Sequence, residues 1–500
     1  MQNRQPRMRL RIRTLLLGMT AFVLTLLTVA GPAHAIPTFS RKYRTSCITC
    51  HTVFPKLNDT GEAFRRNGYQ FPSGDEFLVK DEPIPFGGDA YKDMFPESIW
   101  PSDMPTLPPV FVRAQLRNIV HTDPATDGIK WDMDFPHELV LGGAGTFGKD
   151  ISAWWEIAWE PNDDEVAVER AFVQFSNLFA WSDEDDEDGM REANRWLVLP
   201  NYALNLRFGK MEPKVLPHIA SQHARVSITQ PLSIRQRIGG NRFRFEPVQS
   251  AAVELHGIVR QKYSYVVGYA NGGNASGGQL DDNNTKDVYF RVSKKWFGFP
   301  LDGVVGEPEF NSEEGEANVR AQSPDEELTE GEEFDEEEFA PPGLDYWSAV
   351  GFETGFFSWW GESEVPFGGG FRNDAFRRTG FDARLQWHDL DIFGVFYWGH
   401  DEFAGLVNGM DLGGEDHFSY FVQADYMFKP WILGFVRYEQ TNFNETARTT
   451  AEEARVIPGV AVVIRQNMKL QAEFVLDTSG KDTGGSQATD AFLLQLDYVY

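Results

Sequence analysis

The last ten residues of the chain, "AFLLQLDYVY" at positions 491–500, alternate between two kinds of side chain. Every second position is large and apolar or aromatic, namely Phe492, Leu494, Leu496, Tyr498 and Tyr500. The positions between them include the polar residues Gln495 and Asp497. Successive side chains of a strand point to opposite faces, so a period of two predicts a β-strand with one apolar and one polar face.

The same period recurs along most of the chain after residue 109. The stretches "FDARLQWH" at 381–388, "MKLQAEFVL" at 468–476 and "ALNLRFGK" at 203–210 show it most clearly. Sixteen segments read as candidate strands, roughly 110–120, 137–147, 151–159, 168–176, 203–210, 249–258, 262–270, 286–296, 346–356, 380–388, 390–399, 417–428, 431–440, 457–465, 467–477 and 490–500. Alternation alone fits either a half-solvated soluble sheet or a barrel whose apolar face meets lipid.

The lengths of the connections decide between these two folds. Long connections mostly follow the odd-numbered strands, at 121–136, 211–248, 357–379, 400–416 and 441–456. Very short ones mostly follow the even-numbered strands, at 148–150, 258–261, 389, 429–430 and 466. Long loops on one side and tight turns on the other predict an all-β fold, an outer-membrane β-barrel of about 16 antiparallel strands over residues 109–500. A closing strand that ends on an aromatic residue is typical of such barrels.

Two connections after even-numbered strands break this rule, at 177–202 and 297–345. Both are strongly acidic, with "DEDDED" at 183–188 and "DEELTEGEEFDEEEF" at 325–339. Such runs are commonly solvated and without order. The alternative is a docking surface for a basic periplasmic cytochrome, recognised through complementary charge.

The first 35 residues carry the features of a secretory signal. Five arginines and no acidic residue occupy positions 1–14, and an apolar run follows from Leu15 to Gly31. The small residues Ala33 and Ala35 then form a cleavage site, so residues 1–35 are predicted to be removed on export. A retained membrane anchor is the alternative.

The mature chain begins with a segment, 36–108, that holds the chain's two cysteines. Cys47 and Cys50 are separated by two residues, and His51 follows directly. This spacing predicts covalent attachment of one c-type haem, with His51 as the proximal ligand of its iron. In an oxidising compartment the same cysteines could instead form a disulfide or a thiol-redox pair. Leu57, Gly61 and Phe64 have helical spacing behind the motif, and Asn67-Gly68 is a stop signal.

Composition excludes some classes of partner and of membrane segment. The net charge of −28 and the pI near 4.8 argue against binding of nucleic acid, whose partners carry basic patches. After residue 35 no stretch has the eighteen or more apolar residues of a transmembrane helix.

The mature chain from "IPTFSRKYRTSCITCHTVFPKLNDTGEAFRRNGYQFP" at 36–72 to Tyr500 resembles the fused cytochrome–porin family. Well-known members are outer-membrane iron oxidases of iron-oxidising bacteria. The haem segment carries the sharp part of this likeness, and the barrel matches in architecture. The resemblance implies a location in the bacterial outer membrane, in contact with its lipid, and a plug bearing one covalent haem c in or below the pore. It also implies transfer of electrons from extracellular ferrous iron to a periplasmic c-type cytochrome or another carrier.

Two other functions remain open on the sequence. One is electron transfer with a different donor or acceptor. The other is a solute channel in which the haem segment is a structural or sensory plug. Whether the chain is an enzyme, as an iron oxidase would be, depends on which of these holds.

The register also predicts which side chains face the lumen and which ligands the haem has. Basic residues predicted on the lumen face are Arg113, Arg117, Arg207, Arg291, Arg384, Arg437 and Lys469. They either set the ion preference of a pore or bind haem propionates and plug acids such as Asp59 and Glu62. Met94 is the candidate distal haem ligand, since methionine raises the potential. Other residues considered as ligands of haem or iron are Met104, His121, His218, His223, His400 and His417.

Overall fold

The computed structural model describes most of the mature chain. The described residues are 38–72, 78–79, 84–85, 103–104, 110–123, 128–147, 150–161, 165–179, 199–215, 226–235, 238, 241, 243, 245, 250–272, 284–304, 350–367, 370–403, 406–407, 410–411, 413–443, 452–479 and 490–500. The predicted signal peptide and both acidic runs lie outside them. Pro37–Tyr500 form one compact unit.

Sixteen antiparallel strands form a closed barrel, which confirms the predicted fold class. They are β1 Val110–Asp123, β2 Gly128–Phe147, β3 Ile151–Glu160, β4 Glu165–Phe175, β5 Asn205–Met211, β6 Ser250–Val259, β7 Tyr263–Asn271, β8 Lys286–Phe297, β9 Val350–Phe367, β10 Gly370–Trp387, β11 Leu390–Asp401, β12 Glu415–Lys429, β13 Ile432–Phe443, β14 Glu452–Arg465, β15 Met468–Asp477 and β16 Ala491–Val499. Each strand pairs with its neighbours in sequence, and β16 pairs with β1 to close the ring.

The remaining described elements are short. The helices are α1 Thr38–Tyr43, a 3₁₀ turn at Cys47–Thr49, α2 Asp59–Arg66 and α3 Leu232–Arg235. Three small ribbons pair His51–Val53 with Lys56–Leu57, Ile84–Pro85 with Asp103–Met104, and Leu406–Val407 with Met410–Asp411. Among the described helices, none has the length and apolar character needed to cross a membrane.

The two faces of the wall follow the predicted alternation. On β10, Phe381 and Trp387 point outward and are 51% and 57% exposed, whereas Asp382 between them is buried in the lumen. On β15, Phe474 is exposed and Glu473 is fully buried. The outside of the barrel is therefore apolar, and its inside is lined by charged and amide side chains.

Two expected long loops are instead extensions of the strands. The connection between β1 and β2 is only 124–127, and that between β9 and β10 is only 368–369. The expected loops 121–136 and 357–379 are therefore wrong, because hydrogen-bonded hairpins occupy most of them. Beyond the apolar belt both faces of a hairpin meet water, so the strand continues without the alternation that identifies it.

The connection between β5 and β6 folds back into the barrel, which the sequence did not indicate. The backbone N–H of Thr229 donates to Glu473 at 2.8 Å, and that of Leu232 donates to Glu439 at 3.0 Å. Farther along, the amide of Asn241 donates to Asp374 and Asp401. This inner loop, residues 226–245 as far as they are described, narrows the lumen.

Residues 38–72, here called the N-terminal segment, lie at the short-turn end of the barrel. The backbone N–H of Cys47 donates to Gln466 in the tight turn between β14 and β15. Lys56 lies 2.6 Å from Asp391, the second residue of β11, just after the tight turn from β10. Asn67 donates to the carbonyl of Asp302, beyond the end of β8, at 2.7 Å. Together these contacts place the segment where the first strand begins and the last strand ends.

The apolar outer face predicts that a charged side chain placed there lowers the free energy of unfolding by an amount that depends on its depth in the wall. Val267 lies in the middle of β7 and is 50% exposed on the outside. Val267→Arg is expected to cost about 2–4 kcal/mol, because it places a cation at the centre of the apolar belt. Val259→Arg, at the end of β6, is the matched control and is expected to cost about 0–1 kcal/mol. Unfolding of the two variants in lipid vesicles with guanidinium measures the difference, and equal costs would contradict a lipid-facing wall.

Candidate functional site

The cysteine motif forms a compact turn. Cys47–Thr49 is a single 3₁₀ turn, and the N–H of Cys50 donates to the carbonyl of Cys47 at 3.2 Å. Both cysteines are free thiols, and Cys47, Cys50 and His51 line one cavity. Burial raises the pKa of both thiols, that of Cys50 to about 12. Thiol–disulfide chemistry needs a lowered thiol pKa, so this environment does not favour the redox-pair interpretation.

Asn58 connects the motif to the helix behind it. Its side-chain amide donates to the carbonyls of Ile48 at 3.0 Å and Thr49 at 3.1 Å. Its side-chain oxygen accepts from the N–H of Gly61 at 2.8 Å and so caps α2. Asn58 is fully buried, and its own N–H donates to the carbonyl of Cys50. One side chain thereby satisfies both the turn and the helix, a role that the sequence analysis missed although Asn before Asp-Thr-Gly is a helix-start signal.

The predicted helix is present, and Gly61 explains how closely it packs. A Cβ atom at Gly61 would overlap the carbonyl oxygen of Cys50. Leu57 and Phe64 lie on the same side and line the cavity together with Gly61. Asn67 follows the last helical residue, and Gly68 has a φ of 75°. The turn and α2 therefore form a single packed unit.

His51 is held in the form that a metal ligand requires. Its Nδ1 lies 3.1 Å from the carbonyl oxygen of Pro55, and since that oxygen can only accept, Nδ1 carries the proton. The lone pair of Nε2 is then available. Burial lowers the pKa of His51 to about 4, so the imidazole is neutral at physiological pH.

The cavity beside this turn is large and mostly aromatic. Its volume is about 1560 Å³, counted with the solvent at its mouth. The aromatic residues that line it are Phe39, Tyr43, Phe54, Phe64, Tyr69 and Phe71 of the N-terminal segment and Phe111, Trp154 and Phe172 of the wall. Tyr69 stacks between Phe39 and Trp154 at ring-centre distances of 5.5 and 5.1 Å. A flat apolar group fits such a cavity.

Four arginines, Arg113 among them, line the cavity, and three of them have an unsatisfied donor. Arg65, Arg170 and Arg207 all line it, and the buried Nε of each has no hydrogen-bond partner. Their terminal nitrogens bind acids: Arg170 donates to Glu156 at 2.6 Å and Arg207 to Glu254 at 2.9 Å. A buried donor without a partner is costly, and the carboxylates of a ligand would satisfy it. Two thiols, a neutral imidazole, aromatic walls and unsatisfied arginine donors together fit a covalently bound haem.

The predicted basic residues face the lumen, and most of them bind acids of the wall. The partners are Asp497 for Arg113 and Lys469, Gln495 for Arg117, Glu254 for Arg207, Asp382 for Arg291, Asp391 for Arg384 and Glu439 for Arg437. Arg207 was predicted from the sequence. Arg170 was not, because alternation does not distinguish it from other charged positions of its strand, and Arg65 was not, because it lies on α2 outside the strands.

One of the two alternatives for the lumen bases, contact with the acidic residue Asp59, is present for Arg384. Arg384 and Lys295 lie 3.4 and 3.3 Å from its carboxylate, and the amide of Gln386 donates to it at 3.1 Å. Glu62 pairs with Arg65 of its own helix at 3.2 Å.

None of the other candidate ligands is found at the cavity within the part of the chain that the structure describes. Met94 lies outside the described residues, as do His218 and His223. Met104 lies in a two-residue strand whose side chains are not described. His121 is eleven residues along β1 from Val110, or about 35 Å of strand from the short-turn end, so it is not near the cavity.

The two loop-side histidines are placed by the structure away from the motif. His400 at the end of β11 is exposed and lies 2.6 Å from Asp416. His417 on β12 is buried, 3.9 Å from Asp401. Of the described residues that line the cavity, only His51 carries an imidazole and none is a methionine.

No family model matches the chain, and no curated protein matches it. The similar solved structures include a porin and an outer-membrane channel. An anion-selective porin from Comamonas acidovorans aligns with a TM-score of 0.46 at 11% identity, over 78% of this chain and 99% of that one. The outer-membrane channel DcaP of Acinetobacter baumannii aligns with a TM-score of 0.45 at 9% identity, over 78% of this chain and 97% of that one. Salmonella typhi OmpF aligns with a TM-score of 0.46 at 10% identity, over 78% of this chain and 97% of that one. At these values the activities of those channels say nothing about this chain.

Asn58 provides a direct test of the geometry of this site. Asn58→Ala is expected to destabilise the segment from the cysteine turn to α2 by about 2 kcal/mol, because it removes the helix cap and two hydrogen bonds. Hydrogen exchange of the amides of residues 47–66 is expected to accelerate by about 30-fold, while amides of the barrel wall stay protected.

Asn58→Asp is the matched control for this variant. It keeps the acceptor that caps α2 but cannot donate to the carbonyls of the turn, so its effect should lie between those of wild type and Asn58→Ala. Unchanged exchange in Asn58→Ala would contradict the assigned role.

Proposed function

We propose that this chain is an outer-membrane cytochrome–porin that accepts electrons from extracellular ferrous iron and passes them to a carrier in the periplasm. Each turnover moves one electron: ferrous iron outside becomes ferric iron, and a periplasmic acceptor is reduced by one electron. A haem bound to this chain supplies the reducible centre between the two. Residues of the chain bind and orient that haem and exclude water from it.

The membrane location is supported by the outer face of the wall. Large apolar side chains such as Phe381, Phe474 and Val267 are about half exposed around the barrel. A surface of this kind is unstable in water and suits the hydrocarbon of a bilayer. The predicted export signal is consistent with insertion from the periplasm into the outer membrane.

The single observation that carries the proposal is the motif turn inside the barrel. Cys47 and Cys50 border the aromatic cavity, and the Nδ1–H of His51 is bound to Pro55, which leaves Nε2 to ligate. The unsatisfied Nε donors of Arg65, Arg170 and Arg207 lie around the same cavity. These arginines are suited to bind the propionates, and the aromatic walls to exclude water from the macrocycle.

The position of the N-terminal segment supports the direction of transfer. In outer-membrane barrels the short turns face the periplasm and the long loops face outward. The segment lies at the short-turn end, so a group held there is close to periplasmic carriers. The acidic connections after β4 and β8 start from the same end of the barrel. Their charge suits a basic periplasmic cytochrome as partner.

Iron as the donor rests on the likeness to the fused cytochrome–porin family. A site in the barrel lets a soluble cation reach it from the outside without crossing the membrane. The ferric product, which is insoluble, then forms outside the cell.

The covalent attachment has a direct test. After denaturing electrophoresis, the mature protein from a host with a haem-attachment pathway is expected to keep haem-linked peroxidase stain. Cys47→Ser combined with Cys50→Ser should abolish the stain, because both thioether bonds are lost. His400→Gln, near the end of β11 and away from the cavity, is the control and should stain like wild type. A stain-negative wild type would refute haem attachment.

The electron donor is tested by adding ferrous iron to the purified protein in detergent under anaerobic conditions. The absorption bands are expected to change to those of reduced haem, and His51→Ala should abolish this response because the proximal ligand is lost. Asp132→Asn, at an exposed position on β2, serves as the control and should respond like wild type. Reduction by dithionite but not by excess ferrous iron would remove iron as the donor, and high single-channel conductance in the same preparation would then favour a solute channel.

A further inference from the structure

Three glutamates from neighbouring strands meet on the inside of the wall. Glu138 of β2, Glu160 of β3 and Glu169 of β4 each place a carboxylate oxygen within 4.8 Å of the other two. Among the described residues, this is the cluster of acids, histidines or cysteines whose geometry suits a metal ion. Glu138 and Glu160 come together because Leu139 pairs with Trp159 across the two strands.

A β-bulge turns the third glutamate inward. Across β3 and β4, Glu156 pairs with Arg170 but Ile157 pairs with Val168, so Glu169 is an extra residue in its strand. Val168 points outward at 45% exposure, while Arg170 is buried in the lumen. The extra residue lets Glu169 lie on the lumen side next to Arg170, and bulges commonly redirect a side chain in this way.

Glu138 is a buried acid with an unsatisfied oxygen. The residue is only 5% exposed, and its Oε2 has no hydrogen-bond partner. Of the nearby guanidinium groups, Arg170 donates to Glu156 and Arg113 to both oxygens of Asp497. Arg117 donates to the amide oxygen of Gln495. Burying a carboxylate with an unsatisfied oxygen among other carboxylates is costly unless a cation offsets the charge.

We propose that Glu138, Glu160 and Glu169 form a binding site for a divalent cation, and that ferrous iron occupies it as the substrate. A site made only of carboxylate oxygens suits hard divalent cations. Glu169 also lines the aromatic cavity, so this carboxylate site and the cavity share one side chain. The assignment of ferrous iron rests on the proposed function; the binding of a divalent cation does not.

Binding of Mn²⁺ tests the site without any redox step. The full-length, haem-loaded protein in detergent is titrated with Mn²⁺, and free Mn²⁺ is measured by electron paramagnetic resonance. Glu169→Gln and the double variant Glu138→Gln/Glu169→Gln are expected to weaken the tightest binding by at least about tenfold, because carboxylate ligands are lost. The control is Asp132→Asn on β2, whose side chain is 59% exposed; it should bind like wild type. Retained heat-modifiable migration shows that each variant is folded.

Binding of Mn²⁺ that is unchanged in both glutamate variants would overturn the site, whatever the electron donor is. Tighter binding of Ca²⁺ than of Mn²⁺, with Ca²⁺ retained during turnover, would overturn its assignment to the substrate.

The rate of haem reduction separates this inference from the proposed function. Glu169→Gln is expected to need about tenfold more ferrous iron for half-maximal reduction, while reduction by dithionite stays unchanged. If iron does not reduce the wild-type haem but the glutamate variants lose Mn²⁺ binding, the proposed function fails and the cation site stands. If iron reduces wild type and Glu169→Gln at equal concentrations, the site is not where the substrate binds.

Discussion

The pairing of the first and last strands is the constraint on which the rest of the structure depends. Val110–Asp123 and Ala491–Val499 hydrogen-bond along their length, and Tyr500 exchanges backbone hydrogen bonds with Val112 at 2.7 and 2.9 Å. Only a closed ring satisfies every backbone group of strands that cross a bilayer. Closure also fixes where the chain enters the barrel. The N-terminal segment precedes Val110, so it begins from the short-turn end and can fill that end of the lumen.

Charge then holds the segment in register with the wall. Lys56 of the segment lies 2.6 Å from both Asp391 and Asp425, and Asp59 three residues later meets Arg384 and Lys295. One cation and one anion of the segment therefore pair with side chains of opposite charge on β8, β10, β11 and β12. Buried pairs contribute little net stability, but a partner left alone is strongly destabilising. The pairs thus select one seating of the segment, and that seating forms the aromatic cavity between Phe64 on one side and Trp154 on the other.

The wall could be predicted from the sequence because it has a period. Each of the sixteen predicted strands exists, and Phe381 and Asp382 lie on the outer and lumen faces as their alternation requires. The cysteine motif and the helix behind it could also be recognised from the sequence, because both depend on the spacing of residues close together in the chain, namely Cys47, Cys50, His51 and Gly61. The inner loop was not, since Thr229 and Leu232 bind glutamates more than 200 residues away. Glu169 was missed for a different reason, because its bulge breaks the alternation that assigns a face to each side chain.

The proposed function requires that electrons cross the membrane through one haem held by this chain. The most direct measurement uses lipid vesicles that carry the protein in one orientation and enclose oxidised horse-heart-type cytochrome c, with ferrous iron added only outside. The enclosed cytochrome is expected to become reduced with wild type and not with Cys47→Ser/Cys50→Ser, while the enclosed volume stays free of iron. Reduction that proceeds equally with the cysteine variant, or that requires iron to enter the vesicle, would contradict it.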